Sequence, residues 1–276
     1  MPHFVNYNGQ ILHEDMPLVT AGNRGLRYGD GVFETLKILD GEIQLKSYHF
    51  DRLFAALNVL CFDIPSFFTP AFLEEQMRSI CLKNNVAPTS RVRLNVFRKN
   101  GGLYDPVDHT PDFVIEAWAL PEIYLRLNAN GLIVDVYDGV RKSCDSFSSI
   151  KSNNYLPYAM GALHAKQNQL NECLILNTYE RICDATIANV FLVNGESIFT
   201  PPLAEGCIEG VMRRHLLNTL PQKGYTVEEK KLTIDDVMKA DELFLTNAIS
   251  GLRWVKEFRG KNYKNTVAQA IASWLF

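Results

Sequence analysis

The first 120 residues alternate between the hydrophobic periods of strands and of helices. Apolar and polar positions alternate over residues 92–96, which predicts a strand with one polar face. From Ser47 onward the apolar positions follow a helical spacing, and Ser47 is a good N-cap residue. Asn8-Gly9 and Asp40-Gly41 each separate two apolar runs, and we predict a hairpin at both because such pairs adopt the positive φ of a tight turn.

This alternation is interrupted near Pro121, and we predict a domain boundary there. After it the pattern predicts a helix behind Lys151, whose Pro157 is tolerable only in the first turn. A β-rich stretch and two further helices follow. The mixture predicts an α/β (α+β) fold. We predict two domains, a smaller one over residues 1–120 and a larger one over residues 121–276.

The composition excludes several classes of protein. The chain has 276 residues, a net charge of −3 and 21% charged residues, so it has no overall electrostatic attraction to nucleic acid or anionic membranes. No apolar run approaches the roughly 20 residues of a membrane span, and the amino terminus lacks the pattern of a signal peptide. Six cysteines without metal or redox spacing predict buried thiols in a reducing compartment. We therefore expect a cytoplasmic enzyme.

Common catalytic and binding motifs are missing. Residues 29–34 begin like a dinucleotide fingerprint, but the third glycine is absent and strand-like residues follow. The chain has no Walker A, His-Glu-x-x-His or Gly-x-Ser-x-Gly sequence, and its six histidines lack ligand spacing, so no metal site is predicted. The hydrophobic pattern and the absence of these motifs indicate a two-lobed, enzyme-like protein.

Six segments, in order, resemble the class IV aminotransferases. The first is similar to the N-terminal signature of that family, the second to its His-x-x-Arg-Leu element and the third to the surroundings of its Schiff-base lysine. The other three resemble its acidic-residue strand, its Gly-Ile-Thr-Arg turn and its Ala-Asp-Glu strand. Each segment alone is weak, but six in order are specific. The segments are residues 27–35, 49–53, 150–154, 184–191, 210–213 and 240–246.

The resemblance implies a fold, a cofactor and a central lysine. The fold is the two-domain fold type IV architecture of pyridoxal-phosphate enzymes, with a smaller N-terminal α/β domain, a larger barrel-like C-terminal α/β domain and the cofactor cleft between them. Lys151 matches the lysine that holds pyridoxal 5′-phosphate as a Schiff base and then shuttles protons.

The resemblance also implies partners for the two ends of the cofactor. Asp184 stands where the family usually has glutamate, and such a carboxylate keeps the ring nitrogen protonated; Asn189 follows in the same segment. Arg52 matches the phosphate arginine, a residue suited to bidentate anion contact. A turn that enters a helix offers further N–H donors to the phosphate, although a methionine replaces the usual threonine there. The expected further phosphate contacts are Gly210, Val211, Met212, Ile249 and Ser250.

The family includes branched-chain and D-amino acid aminotransferases and aminodeoxychorismate lyases. Residues 150–154 favour a D-amino acid enzyme, whereas 97–104, 210–213 and 246–248 favour the lyase. Our first hypothesis is a transaminase that moves an amino group between a branched-chain or D-amino acid and a 2-oxo acid. The alternative is release of pyruvate from 4-amino-4-deoxychorismate, which gives 4-aminobenzoate for folate synthesis.

Substrate contacts and oligomeric state follow from the same resemblance. Tyr28, Arg93 and Arg98 are candidates to bind the substrate carboxylate. The resemblance implies a homodimer. A non-catalytic scaffold is the third hypothesis, and the retained Lys151, Asp184 and Arg52 argue against it, because a scaffold needs none of them.

Overall fold

A computed structural model describes residues 3–276, and the chain divides into two compact units. The first runs to Leu120 and also contains Lys151–Asn154; the second comprises Pro121–Ile150 and Tyr155–Phe276. Residues 121–276 were expected to form one domain, whereas four of them belong to the first unit. The reason is hydrogen bonding: Asn153 N–H donates to the Gly31 carbonyl at 2.9 Å, and Ser152 forms a β-bridge with Val32.

The first unit is a six-stranded antiparallel sheet with three helices, and its strand order is β2-β1-β6-β5-β3-β4. Its strands are β1 (Phe4–Tyr7), β2 (Gln10–His13), β3 (Gly31–Leu39), β4 (Glu42–Ile43), β5 (Ser90–Arg98) and β6 (Pro111–Ala119). Its helices are α1 (Arg24–Tyr28), α2 (Lys46–Val59) and α3 (Pro70–Lys83).

Local patterns gave most of these elements correctly. Both predicted hairpins are confirmed, with φ of 51° at Asn8 and 50° at Asp40. The alternation in β5 is confirmed too, since its apolar residues 92, 94 and 96 are fully buried. The prediction that Ser47 caps α2 is wrong. Leu45, with φ of 54°, turns the chain directly from β4 into the helix, which begins one residue before Ser47.

The second unit contains a nine-stranded mixed sheet with the order β12-β11-β10-β13-β14-β7-β8-β9, and β15 pairs with β14. Its strands are β7 (Leu132–Lys142), β8 (Glu172–Asn177), β9 (Ile182–Ala185), β10 (Asn189–Asn194), β11 (Ser197–Thr200), β12 (Thr226–Glu229), β13 (Glu242–Asn247), β14 (Gly251–Phe258) and β15 (Lys261–Asn262). Its helices are α4 (Leu156–Gln167), α5 (Val211–Thr219), α6 (Ile234–Lys239) and α7 (Thr266–Leu275).

Strands β7 and β8 form a parallel pair in this unit. Helix α4 connects the two strands, as a parallel crossover requires. Pro157 lies in the first turn of α4, where its missing N–H costs nothing, as predicted. Strands β8, β9 and β10 are almost wholly buried, so any polar side chain on them needs a hydrogen-bond partner inside the protein.

Two further findings concern the cysteines and the lengths of the helices. All six cysteines are free thiols; four are buried as predicted, but Cys61 is exposed and Cys144 is half-buried. Among residues 3–276, no helix combines the length and the apolar character needed to cross a membrane.

Candidate active site

Lys151 lies against β3 of the first unit. Its carbonyl accepts a hydrogen bond from the Phe33 N–H at 3.0 Å, and its Nζ lies 4.1 Å from the centroid of the Phe33 ring. Gly31 allows this close approach, because a Cβ there would lie 2.6 Å from Nδ2 of Asn153 and 2.4 Å from the Val96 carbonyl oxygen. The glycine of the N-terminal signature is therefore required by the packing of the lysine segment.

Phe33 also contacts Arg93. The guanidinium carbon of Arg93 lies 4.2 Å from the same ring centroid. Asn95 is the cross-strand partner of Phe33, so its side chain lies on the same face of the sheet, as does that of Arg93 two residues earlier. The Oδ1 atom of Asn95 is buried and has no hydrogen-bond partner among the described residues. One face of the sheet thus combines an amine, a guanidinium and an unsatisfied amide.

Arg52 lies in a buried cluster with Glu34 and His49. Its Nε and Nη2 donate to the two Glu34 oxygens at 2.8 and 2.5 Å, and His49 Nδ1 lies 2.7 Å from Oε2. Burial alone would raise the pKa of Glu34, but the Arg52 and His49 charges outweigh it and lower that pKa to about 2. Burial lowers the pKa of His49, and its Nε2 has no partner in the part of the chain that the structure describes.

Asp184, in the second unit, is completely buried on β9 and holds four hydrogen bonds. Oδ2 accepts from the Tyr158 hydroxyl at 2.8 Å, from the Ile208 N–H at 2.9 Å and from Lys142 Nζ at 3.2 Å. Oδ1 accepts from Nδ2 of Asn189 at 2.9 Å. Burial raises the pKa of Asp184, and the Lys142 charge opposes that rise. Sequence reasoning missed Lys142 and Tyr158, since neither lies in a recognised motif.

The start of α5 presents backbone N–H groups without acceptors among the described residues. Gly210 is the N-cap and provides no side-chain cap, and neither Val211 N–H nor Met212 N–H donates a hydrogen bond within residues 3–276. A Cβ on Gly210 would lie 1.9 Å from Oδ1 of Asn189, so only glycine fits. The Met212 side chain is buried and has no hydroxyl, so the donors available here are backbone N–H groups.

Other predicted contacts are engaged elsewhere. The N–H groups of Ile249 and Ser250 both donate to Oδ1 of Asn247, at 3.0 and 2.7 Å, so these amides are not presented to a phosphate. Arg98 is also buried. Its Nε donates to Asp30, its Nη1 to the Cys61 carbonyl and its Nη2 to the Leu60 carbonyl. It therefore holds the end of β5 in place rather than facing a substrate.

Tyr28, the last residue of α1, is partly exposed, and its ring lies 5.8 Å from that of Tyr104. It stays a prediction as a substrate contact. Among the described residues, the structure brings together no group of three or more His, Cys, Asp or Glu side chains that could hold a metal.

The residues present fit pyridoxal phosphate. The cofactor needs an amine for its aldehyde, donors for its phosphate and an acidic group for its ring nitrogen. Lys151 supplies the amine and the α5 amides supply unused donors. Asp184 supplies a carboxylate whose Oδ1 accepts one bond, from Asn189, among the described residues, which leaves it one lone-pair direction.

Residues 31–258 match the sequence model of the family described as Amino-transferase class IV. The chain belongs to the class IV aminotransferases. Members of this family use pyridoxal 5′-phosphate, and the chain is a pyridoxal-phosphate-dependent enzyme of this fold, an aminotransferase or a lyase. The predicted family, cofactor and mixed α/β fold are confirmed.

Relatives of this class IV enzyme carry different activities in their names. A putative branched-chain-amino-acid aminotransferase of Methanocaldococcus jannaschii is 29% identical over 264 residues, which cover 94% of this chain and 88% of that protein. An aminodeoxychorismate lyase of Vibrio harveyi is 28% identical over 236 residues, 85% of either chain. A D-alanine aminotransferase of Listeria monocytogenes is 25% identical over 248 residues, with 87% and 82% covered. Identity at this level leaves the specific reaction open.

Solved structures agree on the fold. The branched-chain aminotransferase of Thermoproteus uzoniensis, determined with norvaline, has a TM-score of 0.87 at 23% identity and covers 99% of this chain and 93% of that chain. A hypothetical aminotransferase of Mycobacterium tuberculosis in its pyridoxal-phosphate-bound form has a TM-score of 0.83 at 19% identity, with 98% and 96% covered.

The buried Glu34 gives a testable pH dependence. A carboxyl whose folded pKa lies below its ordinary value of 4.5 stabilises the fold above that value, and the stabilisation is lost as the pH falls towards 2. The shift corresponds to about 3 kcal/mol. We expect the free energy of unfolding of the wild type to fall across this range, measured by urea denaturation, and Glu34→Gln to remove that part of the slope. Glu42→Gln, at an exposed site, serves as the control; equal slopes in all three proteins would contradict the prediction.

Proposed function

We propose that this enzyme is an amino acid transaminase that moves an amino group between an amino acid, of branched-chain or D-amino acid type, and a 2-oxo acid. The observation that carries the proposal is the face of β3 and β5 where Lys151 and Arg93 contact the same Phe33 ring. Both substrates carry a carboxylate beside the reacting carbon, and a guanidinium is the side chain best suited to bind it. Relatives named as branched-chain and D-alanine aminotransferases support this choice.

We infer separate roles for the residues that hold the cofactor. Lys151 binds its aldehyde, and Asp184, oriented by Asn189, pairs with its ring nitrogen. The first amides of α5, at Val211 and Met212 behind Gly210, donate to its phosphate. Arg52, whose Nε and Nη2 donate to Glu34, is proposed from the family resemblance to add positive charge for the phosphate.

The protein's part in the reaction is to bind the substrate and to move a proton. When bound, pyridoxal phosphate withdraws electrons from the bonds next to the substrate nitrogen. Lys151 Nζ takes the α-proton of the substrate and returns it, and its position on Phe33 limits the directions it can take. Arg93 binds the substrate carboxylate, and the unsatisfied Oδ1 of Asn95 accepts a hydrogen bond from the substrate.

A lyase that releases pyruvate from 4-amino-4-deoxychorismate is the second candidate. The lyase of Vibrio harveyi, at 28% identity, is as similar to this chain as the archaeal transaminase relative. The resemblance of residues 97–104, 210–213 and 246–248 to the lyase sequence favours it.

The two reactions are separated by their products. Incubated with an amino acid and 2-oxoglutarate, the protein loaded with pyridoxal phosphate is expected to form glutamate, detected by coupled oxidation. Lys151→Ala is expected to reduce the rate roughly 10²- to 10⁴-fold, the size of a lost general base, whereas Lys166→Ala, at an exposed position on α4, does not. Pyruvate released from aminodeoxychorismate without amino-group transfer would contradict the transaminase proposal.

Arg93 is expected to act on substrate binding. Removing one side of a charge-assisted hydrogen-bonded pair costs about 1.5–3 kcal/mol, so Arg93→Met should raise KM for the 2-oxo acid roughly 10- to 100-fold. Arg91→Met is the matched control, since Arg91 is exposed on the same strand, over Trp118. Steady-state kinetics measure both variants. An unchanged KM in Arg93→Met would remove this residue from the substrate site.

We further propose that the enzyme works as a cytoplasmic homodimer. Helix α4 exposes Leu156, Met160 and Leu163, which recur at helical spacing and form an apolar stripe that a second copy could cover. Six free thiols agree with a reducing compartment. Sedimentation of the purified protein tests the oligomeric state, and a monomer at micromolar concentration would contradict the dimer.

A further inference from the structure

Two buried side chains clamp Asp184, and the roles proposed above leave both unused. Lys142 ends β7 and Tyr158 lies on α4, and less than a tenth of each is exposed. The Tyr158 hydroxyl donates to Oδ2 of Asp184 at 2.8 Å, while Lys142 Nζ donates both to that hydroxyl and, at 3.2 Å, to the same Oδ2. The three groups form a closed triangle inside the second unit.

The charges of this triangle compensate one another. A buried carboxylate without a cationic partner is strongly destabilising and takes up a proton instead. Burial raises the pKa of Asp184 and Lys142 acts against it. Burial also raises the pKa of Tyr158 well above its ordinary value, so the hydroxyl stays protonated and donates.

Two thiols and a second phenol are the other titratable groups around Asp184 and Tyr158. Cys183 precedes it on β9, and Cys207 lies on the segment before α5; burial raises the pKa of both thiols, that of Cys207 to about 12. Tyr155 stacks on Tyr158 with 4.3 Å between the ring centroids. Lys142 therefore supplies the positive charge that faces Asp184.

We propose that Lys142 and Tyr158 are positioning residues for Asp184: Lys142 keeps the carboxylate ionised, and both hold Oδ2 so that Oδ1 is presented to the ring nitrogen of the cofactor. The inference rests on the proposed role of Asp184. It explains how aspartate serves in this position. Its side chain is one methylene shorter than that of glutamate, and two donors from β7 and α4 fix where it ends.

The first test uses the protein without cofactor. In Lys142→Met the unpaired Asp184 carboxyl is expected to bind a proton in the folded state, so its folded pKa rises further above its unfolded value. Stability from such a group is complete below the unfolded pKa and is lost as the pH rises towards the folded pKa. The thermal unfolding midpoint of Lys142→Met should therefore fall further below that of the wild type with each step from pH 5 to pH 8.

Matched variants identify the cause. Arg141→Met removes the neighbouring positive charge, which pairs with Glu180 at the surface. Its difference in unfolding midpoint from the wild type should not increase with pH. In an Asp184→Asn background, the midpoint difference caused by Lys142→Met should no longer increase with pH. A deficit of Lys142→Met that is constant with pH, or that grows equally in the Asp184→Asn background, would overturn the role of Lys142.

Cofactor binding provides a second measurement. It applies also if Lys142→Met is too unstable for its thermal unfolding to be followed from pH 5 to pH 8. Tyr158→Phe keeps the charge and loses one hydrogen bond, worth about tenfold in an equilibrium constant. We expect the dissociation constant of pyridoxal phosphate, followed by fluorescence, to rise about that much in Tyr158→Phe and at least as much in Lys142→Met, with Arg141→Met unchanged. Unchanged constants in both clamp variants would overturn the positioning role.

Asp184→Asn separates this inference from the proposed function. If that variant binds pyridoxal phosphate as tightly as the wild type, the proposed role of Asp184 fails, and with it the positioning role. The pH titration without cofactor still decides whether Lys142 keeps Asp184 ionised.

Discussion

The backbone pairing between residues 151–153 and β3 is the contact on which the proposed active site depends. Phe33 N–H donates to the Lys151 carbonyl, and Asn153 N–H donates to that of Gly31. These bonds return a segment from the second half of the sequence to the first unit. They also fix the Lys151 side chain on Phe33, and the register of β3 with β5 then determines that Arg93 and Asn95 share its face. Main-chain hydrogen bonds and strand register therefore bring the amine beside its neighbours, and the Phe33 ring contacts both cations.

The protein surrounds two buried carboxylates, Glu34 and Asp184, with different partners. Glu34 faces an arginine across two hydrogen bonds and a histidine, and its pKa falls to about 2, so it is a permanent anion at any physiological pH. Asp184 faces a single lysine ammonium and neutral donors, and its pKa is raised. The first arrangement suits a structural anchor for α2. The second leaves Oδ1 with one accepted hydrogen bond among the described residues, which suits the ligand-facing role proposed for Asp184.

Elements governed by local rules could be predicted from the sequence, and side-chain partners could not. Turn residues and hydrophobic periodicity act within a few residues of the chain. They were therefore enough to predict the two hairpins, β5 and the start of α4. The predicted cap of α2 was wrong, since Leu45, in a left-handed conformation, directly precedes the helix and Ser47 lies inside it. Arg98 resembles a substrate ligand in sequence, yet its carbonyl acceptors come from Leu60 and Cys61, far away in the chain. Lys142 and Tyr158 were missed for the same reason, because only the fold brings these two distant residues next to Asp184.

Asn189 joins the two ends of the proposed cofactor site. Its Nδ2 bridges Oδ1 of Asp184 and the Ile208 carbonyl, while its own Oδ1 occupies the space that a side chain at Gly210 would need. The acidic group and the first turn of α5 are therefore held apart by one rigid spacer of fixed length. A ligand that fits this spacing meets both ends without rearrangement, and a longer or shorter one loses a contact at one end. In the proposed site, one amide side chain therefore sets the spacing between the carboxylate and the backbone donors of α5.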